Sequence, residues 1–218
     1  MKTKELIEAV QKGDTKAVAT LLDEDRTLLR AKSGNVSAIL LSLYHGHPEI
    51  AQLFRQRGAE LTLPEACAVG ERKRVVEMLG RDPSLVNAYS DDGYPVLGLA
   101  IFFRQPELAR ELIERGADVN AAARNPQRVA PVHSAVSVVD YATMRLLLER
   151  GANPDARQES GFTALHGAAA HGDVEMAKLL LEFRADPKAR TDDGKDAVAI
   201  AEKYNQPAFV EWFRANIK

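Results

Sequence analysis

Apolar residues return along this chain in pairs of short blocks at helical spacing, never in long runs. In one such pair Leu165, Ala168 and Ala169 place small and medium apolar groups on one helical face. After Gly172, the residues Met176, Leu179 and Leu180 repeat the pattern at i, i+3 and i+4. The pattern predicts two short helices joined by a turn at Gly172, where a residue without a Cβ takes the left-handed conformation freely. Gly58, Gly116 and Gly151 end second helices elsewhere. Thr163, Ser37 and Asp196 precede first helices, where a side-chain oxygen can accept from a free backbone N–H.

The pair is a repeating unit. His133 and His166 are 33 residues apart, as are Gly13 and Gly46, and Gly172 and Asn205. Between the ends the inter-helix turn falls at Gly46, Gly70, Arg104, Val139 and Gly172, with steps of 24, 34, 35 and 33. Seven units follow within a single domain over 1–218, at about 1–34, 35–62, 63–92, 93–127, 128–160, 161–193 and 194–218. Stretches such as ADVNAAARNPQR, rich in Asn and Pro, predict projecting hairpins between units. The step of 24 is too short for one: LTLPEACAVG turns directly into a helix with Pro64 near its first turn, and the row of hairpins is interrupted there. Arg184 stands where other units have a helix-ending Gly, at a cost of roughly 1 kcal/mol.

VHSA at 132–135, LHGA at 165–168, ERGADVNA at 114–121 and ERGANPDA at 149–156 resemble the ankyrin-repeat family. The similarity covers nearly the whole chain and is strongest from about Asp92 onward. More narrowly, the chain is similar to bacterial ankyrin-repeat proteins. The resemblance implies an all-α, ankyrin-repeat α-solenoid of about seven units including caps, with short β-hairpin loops. It further implies a concave groove, hairpin tips that recognise other proteins, and structural hydrogen bonds between loop and helix at His133 and His166. Pro95 and Ala130 depart from the pattern, since neither offers a capping side chain. Pro131 partly compensates by fixing φ at the first helical position.

Net charge is -2, which argues against a general nucleic-acid surface or an anionic-membrane surface. The N-terminus lacks the apolar core of a signal peptide, and no stretch approaches the roughly 20 apolar residues of a membrane span. A cytoplasmic location is expected. Chemistry is sparse. His45 and His47 form an H-x-H pair before Glu49, but within an inter-helix turn and without the three or four converging ligands that zinc requires. Cys67, the single cysteine, reads as a packing thiol. The DDG segments at 91–93 and 192–194 read as turns, and no phosphate-binding or nucleophile motif occurs. Neither enzyme, metal nor cofactor is expected.

In this type of repeat the two residues before the inter-helix turn face the groove: Tyr44 and His45, Ala68 and Val69, Phe102 and Phe103, Ser137 and Val138, Ala170 and His171, Lys203 and Tyr204. The Phe102–Phe103 pair predicts an apolar patch of the kind that marks interaction sites. Arg124, Arg157 and Arg190 recur in steps of 33 at hairpin tips, a ladder that suits an acidic partner. The competing reading is a solvated basic edge balanced by Glu159 and Asp192. The candidate partner-binding residues are Tyr94, Phe102, Phe103, Arg124, Arg157, Phe162 and Arg190. The chain is thus expected to be a non-enzymatic, monomeric scaffold that binds an unidentified protein. Alternatives are a self-assembling structural protein using Trp212 or Phe103, and a metal protein or enzyme using His45, His47 or His171. Trp212 and Phe213 are expected to seal the last repeat.

Overall fold

The computed structural model describes residues 2–217, which divide into two compact units, Met1–Val96 and Leu97–Lys218. Each unit is a stretch of ankyrin-type α-solenoid. Unit 1 holds three helix pairs: α1 (Lys2–Lys12) with α2 (Thr15–Glu24), α3 (Ala38–Tyr44) with α4 (Pro48–Gln56), and α5 (Leu63–Val69) with α6 (Arg72–Arg81). Four further pairs follow: α7 (Val96–Phe102) and α8 (Pro106–Glu114), α9 (Pro131–Ser137) and α10 (Tyr141–Glu149), α11 (Ala164–His171) and α12 (Val174–Glu182), and α13 (Ala197–Lys203) and α14 (Pro207–Asn216). Pairs stack like on like: α1 on α3, α3 on α5 and α2 on α4 in unit 1, and α9 on α11, α11 on α13 and α8 on α10 in unit 2.

The repeat read from sequence is a repeat in backbone conformation. Gly13, Gly46, Gly70, Arg104, Val139, Gly172 and Asn205 all have left-handed φ, between 55° and 77°. In every pair the next residue donates its N–H to the carbonyl five positions earlier, as Asp173 does to Ala168 at 2.9 Å and Gln105 to Ala100 at 2.8 Å. This bond satisfies a carbonyl that the end of the first helix would leave open. Arg184 takes the same conformation at φ 66°.

After the polar-faced α1, the first helices are mostly apolar and buried in the stack. Leu40, Ala66, Ala100, Ala135, Ala168 and Ala201 are buried on them. The second helices bury one face only, Ile50 and Phe54 in α4, Leu108 and Leu112 in α8, and Met144 and Leu147 in α10. Each fully buried Leu or Phe contributes roughly 1.5–3 kcal/mol against solvent exposure. Gly167 permits close approach of α9 and α11, since a Cβ there would meet Val136 at 2.9 Å.

Two expectations are corrected. Thr163 does not cap α11 with its own oxygen; the ring of His166 takes over, and the Thr163 N–H and hydroxyl both turn to its Nδ1, at 3.1 and 2.9 Å. Ser37 and Asp196 do cap, accepting from Leu40 and Ala199. Ala68 and Val138 do not open onto the groove, being small or medium apolar side chains only 1% and 7% exposed in the stack. At the last repeat Phe209 and Phe213 are buried and Trp212 is half-buried against both, so the aromatic cluster seals the terminal core.

Candidate partner-binding surface

Hairpin fingers precede the first helices, and the histidines fix them in unit 2. The Ala130 N–H donates to His133 Nδ1 at 3.0 Å, which places the ring proton on Nε2, 2.9 Å from the Ala156 carbonyl of the next finger. His166 repeats this between Thr163 and the Lys195 carbonyl, 3.2 Å away. Burial pushes both imidazoles below their ordinary pKa, so they work as neutral rings. Successive fingers also bond tip to tip, Glu159 N–H to Gln127 O at 2.9 Å and Asp192 N–H to Ser160 O at 3.0 Å. Asn120 bridges to Asn153 N–H at 2.7 Å and to Gly151 O at 3.1 Å, and Asp155 accepts from Asp186 N–H at 2.8 Å. Sequence reasoning missed this ladder, although the 33-residue step from Asn120 to Asn153 was the available signal.

The arginine ladder is largely engaged within the protein. Arg157 donates to the Arg190 carbonyl at 2.9 Å and to Asp192 at 2.7 Å. Arg190 donates to the Gly194 carbonyl at 2.6 Å and pairs with Asp196 at 3.1 Å. Both guanidinium groups fasten fingers, and Asp192 balances one of them as the competing reading required. Arg124 is exposed at the tip of its own finger.

The aromatic candidates separate. Phe102 is 45% exposed at the end of α7 and meets the half-buried Phe103 edge-on, with centroids 5.2 Å apart. Phe162 is half-buried against His166 at 5.5 Å. With Ile200, Lys195 and Lys203 it lines a cleft of about 610 Å³. Tyr94 lies in unit 1 beside Tyr44, at 6.2 Å between rings, and the Tyr44 hydroxyl donates to Asp92 at 2.9 Å. Tyr204, 50% exposed, follows α13 as its C-cap, and the Lys203 ammonium lies 5.3 Å from the centroid of its ring. Val139 and Tyr141 are also exposed, the latter donating its hydroxyl to Asp173 at 2.9 Å. Tyr141 begins α10 directly after its N-cap Asp140, and no apolar periodicity marked it.

Two of the residues considered for chemistry have structural tasks. Cys67 is buried, which raises its thiol to about 12 and suppresses the reactive thiolate. His47 packs its ring over Gly13, where a Cβ would lie 2.5 Å from it. Among the described residues, no group of three or more His, Cys, Asp or Glu could hold a metal ion, and no helix is long and apolar enough to cross a membrane.

A sequence model of the family described as "Ankyrin repeats (many copies)" matches residues 132–181. The human BCL-6 corepressor-like protein 1 is 34% identical over 117 residues, 53% of this chain and 6% of the relative. The E3 ubiquitin-protein ligase Ufd4 of Drosophila melanogaster is 38% identical over 78 residues, 36% of this chain and 3% of the relative. A protein of Treponema pallidum (strain Nichols) described as ankyrin repeat-containing is 29% identical over 103 residues, 43% of this chain and 34% of the relative. The chain therefore spans 34% or less of the length of these relatives. The match over 132–181 places those residues among the ankyrin repeats, and the left-handed inter-helix turns and His-fastened fingers repeat the same architecture along the described residues.

Proposed function

We propose that the chain is a non-enzymatic protein-recognition module, a monomeric cytoplasmic scaffold that holds a partner along the groove lip and fingers of unit 2. Repeats of this family generally mediate protein–protein contacts, and one observation carries the reading here. Phe102 exposes 45% of a large apolar side chain at a groove-facing position, although burying it would be favourable by some 1.5–3 kcal/mol. An exposed aromatic of this kind supplies desolvated contact area to a partner. Phe162 and its cleft offer a second anchor point.

An acidic partner remains favoured, but for a different reason from the ladder. Arg157 and Arg190 are paired at home, whereas Lys203 makes no ion pair among the described residues and sits between the Phe162 cleft and Tyr204. A partner carboxylate beside an apolar side chain would meet it there. The test is affinity capture by wild type and by a folded Phe102→Ala, Phe103→Ala, Arg124→Ala variant. A partner retained by wild type and lost by the variant supports the reading; equal retention by both moves the site elsewhere.

A further inference from the structure

Unit 1 departs from the regular finger row, and unit 2 shows what a filled position contains. There the residue five before each helix start donates its N–H to the carbonyl of the residue four before the preceding start, Glu159 to Gln127 and Asp192 to Ser160. Unit 1 has a finger at β1 (Lys32–Ser33) and β2 (Val36–Ser37) and another closed by the Tyr89–Pro95 bridge. Between them in sequence, α4 runs into α5 through 57–62 without a finger. The equivalent groups in unit 1 are the Gly34 carbonyl and the Asp91 N–H. Neither makes a hydrogen bond within the described residues.

Asp91, and Asn35 directly after Gly34, line a cleft of about 210 Å³ between the two fingers. The first finger, the second finger and the turn at Thr62, Pro64 and Glu65 all line it. Glu65 is only 6% exposed. Its Oε2 accepts from the Thr62 N–H and hydroxyl, both at 2.8 Å, while Oε1 makes no hydrogen bond among the described residues. Lys32 reaches across to Asp91 at 2.5 Å, with 50% and 64% of those side chains exposed. Such a surface pair is weak enough to open.

We propose that this vacancy receives a polar turn of a partner polypeptide, which takes the place of the absent finger. The turn would donate one N–H to Gly34 O, accept from Asp91 N–H through one carbonyl, and give a further donor to Glu65 Oε1. This is strand-edge recognition reduced to a single tip, in which main-chain groups supply the contacts. The mix of one donor with two acceptors selects a polypeptide turn over a small anion, which would face the Gly34 carbonyl and the Glu65 carboxylate. Lys32 and Asp91 cancel in charge, so the segment is polar without a strong net charge. The site lies in unit 1 and is independent of Phe102.

The test uses the full chain and a displayed library of short disulfide-closed turn peptides. Selected peptides are then measured on three variants: one with a finger copied from 156–163 inserted between Ala59 and Glu60, Asn35→Trp at the cleft lining, and Phe102→Ala. The expected result is binding to wild type and Phe102→Ala, at least about tenfold weaker binding to the other two, and slowed hydrogen exchange at the Asp91 amide in the complex. Peptides indifferent to both the insertion and Asn35→Trp, an unchanged Asp91 amide, or a selection that yields no binder would overturn the proposal. Should the insertion fail to fold, Asn35→Trp and the Asp91 amide still decide it.

Discussion

The two units use the same helix pair and fasten it differently. In unit 1 the first helices are capped from within: Ser37 accepts from Leu40, and Thr62 and Glu65 form a reciprocal box. In unit 2 the rings of His133 and His166 hold their own helix start and reach the next finger. The unit with reaching histidines has consecutive fingers bonded tip to tip, and the unit without them has lost a finger yet kept its left-handed turns. The helix pair is therefore the part the stack requires. Fingers are an addition that can be deleted, and this frees their tips for recognition.

The largest break in that contrast should come from His166→Ala. It removes a buried ring and the bonds at both of its nitrogens, and should cost about 3 kcal/mol, read as a lowered denaturant midpoint at constant slope. Acidification should act more mildly on the same fastening. The native rings are held neutral, so below about pH 6.5 the unfolded chain binds more protons than the folded one. Their contribution is complete above that value and shrinks as pH falls towards the lowered native values. Between pH 7 and pH 5.5, protection against hydrogen exchange, corrected for the slower intrinsic exchange at lower pH, should accordingly fall first in the fingers at 156–163 and 190–196, and a uniform loss of protection in both units would count against the account. Arg184→Gly should raise stability by about 0.5–1 kcal/mol, because φ 66° suits glycine. An unchanged or lowered midpoint would show that the Arg184 side chain compensates. The smallest effect belongs to Arg157→Ala, under about 1 kcal/mol globally, with faster exchange confined to the 190–192 tip.

Much of the fold was legible because the repeat is written in residues with few conformational alternatives. Gly13, Gly46, Gly70 and Gly172 announce left-handed turns, and their spacing located Arg104, Val139 and Asn205 in the same conformation. The short step before α5 disclosed the missing finger, and Pro64 marked its abrupt start. Caps were less legible. Thr163 looks like a self-sufficient N-cap until the ring three residues on is seen to accept both of its donors. The candidate surface was legible only in part. Phe102 is exposed as its position implied, whereas exposure alone did not reveal that Arg157 and Arg190 bind neighbouring carbonyls and carboxylates. A 33-residue step gives the position of a side chain in the repeat, but the direction of a long flexible arginine depends on which acceptor lies within reach.

The most direct measurement of the central claim is site-specific photo-crosslinking in cells of the organism that makes the protein. A photoreactive residue is placed at position 102, and in a second variant at position 110, which is exposed on α8. The account predicts a discrete covalent adduct to another protein from position 102 and none from position 110. Adducts formed equally from both positions, or from position 110 alone, would contradict a recognition surface built around Phe102.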